Sequence, residues 1–548
     1  MKKRLLALLA AVCLLCSGLC GCSDDGTGRG FRFPLEREPA ELDPQMATDT
    51  ASVTVIAALF EGLTRLDANG IVTDGAATHT LSEDERTYTF TLRESYWSTI
   101  RVRGQKTPFD EPTPVTADDF LFAFQRAVDP ATGSPLAAEF DIIQNAAAIR
   151  MGEKPLSELG VSAPDQRTLV ITLEKPDASF LERLSGTPFA PCNRAFFEYT
   201  GGRYGLEEEY VLSNGAFRLA AWNHDESLLL YKHEAYHQVD DVSPEAVRFV
   251  IGAADTVEAL KTGSLDAAPL TVAERTALGD NVACGLLWDS LRGLWFNTGS
   301  DPFTVAPLRQ ALRDSIDWSA VTTYVETTAG EWMAKSYVPP DATVAGEGTY
   351  HPEGLIAPVL SFPTDVTAAK AAMNEGLQLL YPDGQTGRLR FELIAPDDTV
   401  SADLARYLVQ SWQKNLNVYP TLTLLPEAEV EKRVKNGQYQ AALYTYSPAG
   451  LTGAENLSCF ATDATDNPSR LKDDSVDAAI QKALTGGRAE LEVLDKTLWR
   501  VCPCVPLSYP TRYYGVRNDV KIEGVTILPF GGGRYHSPYD FRYAIKLD

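Results

Sequence analysis

Two hydrophobic periodicities alternate along the chain, and they constrain its fold more than any other feature of the sequence. Residues 87–93 alternate apolar or aromatic with polar side chains, which predicts a half-buried strand. Residues 116–128 instead place Phe120, Phe124 and Val128 on one helical face, behind a capping Thr116. Further strands are predicted at 31–35, 168–173 and 227–231, and further helices at 53–63, 257–261, 308–316, 367–380 and 402–416. The sequence therefore predicts a mixed α/β body and excludes a helix bundle or an all-β sandwich.

The first thirty residues are predicted to be a targeting segment and a tether. A basic segment at 2–4 precedes an apolar run at 5–20, which is shorter than the roughly 18–20 residues of a membrane-spanning helix. The run ends in Leu19-Cys20-Gly21-Cys22, which resembles a bacterial lipobox. Residues 1–21 are therefore predicted to be a lipoprotein signal peptide, Cys22 the lipidated residue, and residues 22–30 a flexible tether. The alternative is an ordinary secretion signal followed by an incidental cysteine.

The charge of the chain limits its partners. Its 548 residues include 49 Lys and Arg against 74 Asp and Glu, a formal net charge of −25 at pH 7. Such a surface repels phosphate backbones, so we expect no nucleic-acid partner. Five cysteines follow the predicted anchor and cannot all pair. The apolar segment around Cys502 and Cys504 favours buried thiols there.

Short sequence blocks in a fixed order carry a family resemblance. They are LFEGL at 59–63, GIV at 70–72, TYTFTLR at 87–93, YWS at 96–98, PVTADDF at 114–120, RAVDP at 126–130, SNGAFRL at 213–219, WFNT at 295–298, PF and LRQAL within 302–312, and YVPP at 337–340. Together they resemble the oligopeptide- and dipeptide-binding proteins of ABC importers, solute-binding protein family 5.

The resemblance implies an α/β, two-lobed periplasmic-binding-protein-like fold (type II, cluster C) with an extra subdomain inserted near the N-terminus. Carried onto this chain, it implies lobe I at 31–60, 186–270 and 506–548, the inserted subdomain at 61–185, and lobe II at 271–505. A ligand held between the lobes would favour the closed form, and closure would exclude water.

The resemblance also implies which residues contact the ligand, because the family holds extended peptides by strand-like backbone pairing. One such strand would be Thr48-Asp49-Thr50-Ala51. The other would run from Gln440 to Tyr444, and the matching stretch at 443–449, with Tyr444, Tyr446, Ser447 and Ala449, would cover the ligand from the second lobe. Trp295 and Asn297 would lie on a strand lining the cleft. The alternative for Tyr444 and Tyr446 is that they are ordinary core aromatics.

The chain departs from the family pattern at the ligand termini. Ala449 stands where the peptide binders have an Asp that pairs with the amino terminus of the ligand. Val434 and Leu443 stand where the family can place an Arg for its carboxylate. We therefore expect no strong preference for a free amino terminus, because unpaired buried charges are costly.

One motif suggests a different class of protein. His233-Glu234-Ala235-Tyr236-His237 matches the H-E-x-x-H of zinc peptidases, with Glu258 near the spacing of a third ligand. The motif requires a helix, whereas residues 227–232 predict a strand followed by a turn that contains Tyr236. The peptidase therefore remains only an alternative.

The sequence thus predicts a lipid-anchored receptor at the extracytoplasmic face of a cell membrane, not an enzyme. Its expected partners are a peptide or peptide-like ligand and the permease and ATPase subunits of an ABC importer. We expect a monomer without cofactor or bound metal. A receptor that signals or chaperones without transport is a third possibility.

Overall fold

The computed structural model describes residues 30–67, 71–100, 106–253, 255–344, 347–350, 360, 362–382, 389–448, 450, 452–464, 466–522, 535–537 and 539–546. The predicted signal peptide, the tether up to residue 29 with Cys22, and Ala449 lie outside the described residues. In the part of the chain that is described, no helix is long and apolar enough to cross a membrane.

Strands and helices alternate along the described chain. The strands are β1 Gly30–Leu35, β2 Thr64–Leu66, β3 Val72–Asp74, β4 Ala77–Leu81, β5 Thr87–Leu92, β6 Val161–Asp165, β7 Thr168–Thr172, β8 Phe217–Asn223, β9 Ser227–Lys232, β10 Ala246–Ile251, β11 Ala267–Leu270, β12 Val282–Leu287, β13 Leu291–Phe296, β14 Trp332–Met333, β15 Thr343–Val344, β16 Gly348–Thr349, β17 Glu392–Pro396, β18 Thr421–Leu425, β19 Ala441–Tyr446, β20 Cys504–Tyr509, β21 Arg512–Arg517, β22 Val520–Ile522 and β23 Ala544–Lys546. The helices are α1 Thr50–Leu59, α2 Ala117–Val128, α3 Ala146–Arg150, α4 Phe180–Arg183, α5 Arg194–Thr200, α6 Thr256–Thr262, α7 Val272–Leu278, α8 Ala306–Asp314, α9 Trp318–Tyr324, α10 Val366–Leu380, α11 Thr399–Leu416, α12 Glu427–Lys435, α13 Gly453–Leu457, α14 Asp474–Thr485 and α15 Arg488–Val501.

The periodicity located several of these elements, as α2 illustrates. Thr116 and Asp119 form a capping box at its start, and Phe120, Phe124 and Val128 are fully buried. The predicted strands at β1, β5, β7 and β9 are likewise confirmed, as are the helices at α6, α8, α10 and α11.

The predicted strand at Thr48–Ala51 is wrong. The carboxylate of Asp49 accepts the backbone N–H of Ser52 at 3.0 Å, so Asp49 is the N-cap of α1 and Thr50 is its first residue. With Asp49 as its cap, the helix begins at Thr50 and ends at Leu59, whereas the predicted helix covered residues 53–63.

Lobe I combines two sheets with the inserted subdomain. One sheet has the strand order β1-β10-β9-β8 and a second the order β11-β21-β12. The inserted subdomain adds the sheet β4-β5-β7-β6 and helix α2. Phe33 and Phe249 from the first sheet belong to the same hydrophobic core as Phe90 and Phe120 from the inserted subdomain. The inserted subdomain is therefore packed as part of lobe I.

Lobe II is built on a six-stranded sheet with the order β14-β20-β13-β19-β17-β18. The central strand β13 separates two hydrophobic cores. Leu294 and Phe296 pack in one core, and Leu291 and Trp295 pack in the other. This alternation is the period of two expected of a strand buried on both faces.

Within the described residues, the chain crosses between the lobes twice. Residues 288–290 join β12 to β13, and residues 510–511 join β20 back to β21. Before the first segment and after the second, β12 and β21 pair with each other in one sheet. The lobe limits of 271 and 505 implied by the resemblance stay a prediction.

Side chains tie the two crossing segments to each other. The indole N–H of Trp288 donates to the hydroxyl of Thr511 at 3.1 Å, and Arg512 forms an ion pair with Asp289. The segments that would bend during a movement of the lobes therefore form one linked unit.

Candidate functional site: the interlobe cavity

A cavity of about 550 Å³ lies between the lobes, a volume within the range of small-molecule sites. Lobe I supplies its first wall, which consists of Glu139, Arg183, Pro188, Phe189, Tyr535 and His536. Lobe II supplies its second wall, which consists of Tyr446, Gly450, Glu455, Ser458, Cys459, Ala461, Asp463, Ala464, Asp466, Ile480, Gln481 and Leu484.

The first wall is held by contacts between distant parts of the chain. The backbone N–H of Thr187 donates to the carbonyl of Tyr535 at 2.9 Å. Nε2 of His536 lies 3.0 Å from the hydroxyl of Ser185 and 3.2 Å from the carbonyl of Glu182. Burial lowers the pKa of His536, so its imidazole is neutral at pH 7.

An ion pair between Arg183 and Glu455 joins the two walls. A terminal nitrogen of Arg183 lies 2.7 Å from Oε1 of Glu455. Burial opposes the charge of Arg183, but the carboxylates of Glu455 and its other acidic neighbours outweigh burial and raise the pKa of Arg183. Glu455 also closes the capping box of α13 with Thr452, which fixes its position.

Aromatic packing supports the second wall. Trp295 is fully buried, its ring stacks on Phe460 with centroids 5.5 Å apart, and its indole N–H donates to the carbonyl of Tyr444 at 3.0 Å. The hydroxyl of Tyr446 lies 3.4 Å from a carboxylate oxygen of Asp466. Burial raises the pKa of Tyr446, so its hydroxyl is a neutral hydrogen-bonding group beside the cavity.

The strand beneath this wall has an edge that is open in part. Along its whole length β19 pairs with β13, but its pairing with β17 on the other side is confined to Ala441 and Ala442. Among the described residues, the outer edge of Leu443–Tyr446 has no strand partner. That edge can accept an extended chain by backbone hydrogen bonds.

The residues predicted to contact the ligand occupy different positions around the cavity. Of these residues, Tyr446 lines it, and Tyr444 and Trp295 pack behind it on the same face of the sheet. The amide of Asn297 donates to the carbonyls of Gly437 and Tyr439 at 3.0 and 2.9 Å, so it fixes the end of β13.

The remaining predicted contacts lie outside the lining. Ser447 is exposed just after β19. Thr48, Asp49 and Thr50 surround the start of α1 and are not among the residues that line the interlobe cavity. A ligand contact by any of these residues stays a prediction.

The H-E-x-x-H segment does not form a helix. Residues 233–238, which follow β9, are turns and irregular backbone. His233 places Nδ1 3.0 Å from the carbonyl of Gly215, while Nε2 of His237 and the hydroxyl of Tyr236 bond the buried carboxylate of Glu61. The prediction of a strand and turn is confirmed, and both imidazoles serve structural contacts.

Several lining residues were missed by reasoning from the sequence. Arg183, Phe189, Cys459 and His536 lie in short helices and loops that are far apart along the chain. Short helices carry too few residues to show a period, and the blocks that carry the family resemblance do not include them. The predicted buried thiols at Cys502 and Cys504 are confirmed.

Two lobes linked by paired crossing segments, with a cavity whose walls come from both, define a solute-binding protein. The family model described as bacterial extracellular solute-binding proteins, family 5 Middle, matches residues 44–468. The chain belongs to this family, whose members are substrate-binding receptors and not enzymes.

Individual relatives agree with this assignment. The oligopeptide-binding protein OppA of Bacillus subtilis is 30% identical over 446 residues, which cover 76% of this chain and 77% of that protein. The substrate-binding domain of an oligopeptide ABC transporter from Bacillus anthracis is 26% identical, with a TM-score of 0.66 over 95% of this chain and 99% of that one. The unliganded open form of the periplasmic murein tripeptide-binding protein MppA is 25% identical, with a TM-score of 0.73 over 94% and 97%. The expected two-lobed, type II fold is confirmed.

Proposed function

We propose that this protein is the extracytoplasmic receptor of an ABC importer and captures a peptide or peptide-like ligand between its lobes. The observation that carries the proposal is the interlobe cavity, because its two walls belong to different lobes and meet through Arg183 and Glu455. A ligand that contacts both walls binds the closed form more tightly and shifts the protein toward it. The closed receptor then delivers the ligand to the permease and ATPase subunits.

The open edge of β19 supports a peptide as the ligand. An extended peptide that pairs with Leu443–Tyr446 gains main-chain hydrogen bonds that do not depend on its side chains. The similarity to the oligopeptide-binding OppA of Bacillus subtilis supports the same ligand class.

Mass analysis of bound peptides tests this function. The protein is stripped of ligand by unfolding, refolded, and incubated with a mixture of di- to pentapeptides, and the peptides that co-elute on size exclusion are identified. We expect retained peptides, and at least tenfold weaker binding by Tyr446→Ala in calorimetry. Tyr419→Ala, which removes an exposed aromatic outside the cavity, is the matched control. Failure to retain any peptide would contradict the proposal.

We further propose that the protein has no peptidase activity and needs no metal or cofactor. A zinc peptidase needs both histidines on one helical face, whereas His233 and His237 lie outside any helix and bond other groups. Elemental analysis that found one zinc per chain, lost in His233→Ala, would overturn this part of the proposal.

The anchoring at Cys22 is also part of the proposal, together with a monomeric state and a location at the outer face of the cell membrane. Lipid chains at Cys22 would anchor the body with about 0.8 kcal/mol per buried methylene. We expect Cys22→Ala to release a folded protein from membranes that are washed with carbonate. Retention of the variant in the membrane fraction would show that the anchor lies elsewhere.

A further inference from the structure

A further cavity, of about 630 Å³, lies in lobe II. Its lining comes from the loop between β13 and α8, the start of α8, the segment before α14 and the end of α15. We call it the basic cavity, because Arg309, Arg470, Lys472 and Arg500 line it together with Asp473. None of these five is among the residues that line the interlobe cavity.

The charge of this lining is opposite to that of the whole chain. The sequence has 74 acidic against 49 basic residues, whereas the described lining of the basic cavity has four cations and one carboxylate. That carboxylate belongs to Asp473, the N-cap of α14, and accepts the backbone N–H groups of Ser475 and Val476 at 2.9 and 3.1 Å. The acid therefore serves to hold the helix, and the four cations leave an excess of positive charge.

Arg309 is the buried cation of this lining, with 3% of its surface exposed. Its Nε donates to the carbonyl of Cys502 at 2.9 Å, Nη1 to that of Phe303 at 2.6 Å and Nη2 to that of Val501 at 2.7 Å. A guanidinium has five N–H groups, so one on each terminal nitrogen has no partner within the described structure. None of the three partners carries a full negative charge.

Another buried arginine shows what Arg309 lacks. Arg126 is 6% exposed, and burial opposes its charge, but the ion-paired carboxylate of Asp43 outweighs burial and raises its pKa. For Arg309, burial prevails and lowers the pKa, although Asp473 and the negative end of the α15 dipole offset part of this effect. A buried cation is costly without a bonded countercharge, and an anion in the basic cavity would supply one.

We propose that the basic cavity binds a small anion that carries two or more phosphate or carboxylate groups. One of these groups pairs with Arg309, because a planar guanidinium matches the geometry of an oxyanion. The other groups contact Lys472 and Arg500, whose side chains are exposed. A multiply charged ligand matches the excess of cations in the lining. This site is separate from the capture of a peptide between the lobes.

Calorimetry with pyrophosphate, citrate and acetate tests this site and separates the two kinds of oxyanion. The titrations use a zwitterionic buffer at one ionic strength, because salt screens exposed charges. We expect pyrophosphate or citrate to bind with a Kd below about 1 mM, and acetate, which has a single charge, to bind roughly tenfold more weakly or less. The tighter of the first two shows whether phosphate or carboxylate groups fit the cavity. Binding of neither would overturn the proposal.

The exposed cations of the lining provide a matched pair of variants. Lys472→Gln combined with Arg500→Gln should weaken binding of the tighter anion by about tenfold. Lys414→Gln combined with Lys432→Gln removes the same charge from side chains of lobe II that are 74% and 69% exposed and lie outside the cavity. This control should change the affinity by less than about twofold. An equal loss in both pairs would mean that only net charge attracts the anion, which would overturn the site.

Arg309→Lys tests the buried guanidinium. It keeps the charge but loses the planar fork, so we expect the anion to bind about three- to tenfold more weakly, with folding checked by urea unfolding. A folded Arg309→Lys variant with unchanged affinity would overturn the role of Arg309, and if the variant does not fold, the exposed pair decides. The affinity for a retained peptide should stay within about twofold of wild type in the exposed pair. Loss of the anion site would therefore leave the peptide receptor standing.

Discussion

Behind each wall of the interlobe cavity lies a buried carboxyl group, and the two groups have contrasting environments. Glu61 lines a smaller cavity of about 120 Å³ that shares Tyr535 and His536 with the first wall. Asp495 lies on α15, which packs in the same core as Cys459 of the second wall. Glu61 is surrounded by donors, whereas Asp495 accepts the N–H of Tyr337 at 2.7 Å and leaves Oδ2 without a partner among the described residues.

The contrast shows that burial alone does not set the charge of a carboxyl group. Burial raises the pKa of Glu61, but hydrogen bonds and charge from His237, with smaller contributions from Arg542 and Tyr236, bring that pKa below its ordinary value. For Asp495, burial outweighs its hydrogen bonds and raises the pKa to about 7. The first wall is therefore supported by a fixed anion, and the second by a group that titrates near neutral pH.

Replacing Glu61, the fixed anion, should have the largest effect on the free energy of unfolding. Glu61→Gln leaves the donors of Tyr236 and His237 facing an amide and removes the countercharge of Arg65 and Arg542. We expect a loss of about 3–5 kcal/mol in the free energy of unfolding at pH 7, measured in urea. Exposed Glu83→Gln in the inserted subdomain is the control.

The pH dependence of this loss follows from the lowered pKa of Glu61. Its stabilisation is present above the unfolded pKa of about 4.5 and disappears as pH falls through the lower folded pKa. The gap between wild type and Glu61→Gln should therefore be widest at neutral pH and shrink toward pH 3. A gap that does not change with pH would contradict the assignment of Glu61 as an anion.

For Asp495, whose carboxyl group titrates near neutral pH, we expect the opposite dependence of stability on pH. Between the unfolded value of about 4 and the folded value of about 7, folded Asp495 holds a proton that the unfolded chain has lost. The stability contributed at this site therefore falls as pH rises through that window. Asp495→Asn keeps an acceptor for Tyr337 and should be roughly 2–3 kcal/mol more stable than wild type at pH 8, with little difference at pH 4.

The control for this variant is Asp474→Asn, which replaces an exposed acid of the same lobe. Urea unfolding at pH 4, 6 and 8 measures both variants. If Asp495→Asn were less stable than wild type at pH 8, the carboxyl group would be an ion that the fold uses, and the contrast between the walls would disappear.

The ion pair between Arg183 and Glu455, which joins the two walls, should contribute least to the free energy of unfolding. The Arg183 and Glu455 side chains are 28% and 13% exposed, so we expect a coupling of about 0.5–1 kcal/mol in a double-mutant cycle. Arg183→Gln and Glu455→Gln are suitable because Gln also serves in a capping box. The coupling, measured from unfolding in urea, should decrease at high salt, and a coupling of zero at low salt would show that the walls do not hold each other.

The sequence predicted the fold better than the site, for a physical reason. Long periodic segments such as α2 and β5 report their burial directly, because many residues share one pattern. The cavity brings Arg183, Glu455 and His536 together from short segments, and that proximity depends on how the lobes pack. Tyr446 was predicted from the family resemblance, whereas the cap at Asp49 outweighed the strand expected at Thr48–Ala51.

Small-angle scattering with and without peptide tests most directly whether the ligand is captured between the lobes. The protein is stripped of ligand, and its radius of gyration is measured before and after saturation with a peptide whose binding calorimetry has established. Capture between the two walls predicts a smaller radius and a narrower distance distribution with ligand, because the lobes close on it. An unchanged radius at saturation would contradict interlobe capture and place the ligand on one lobe alone.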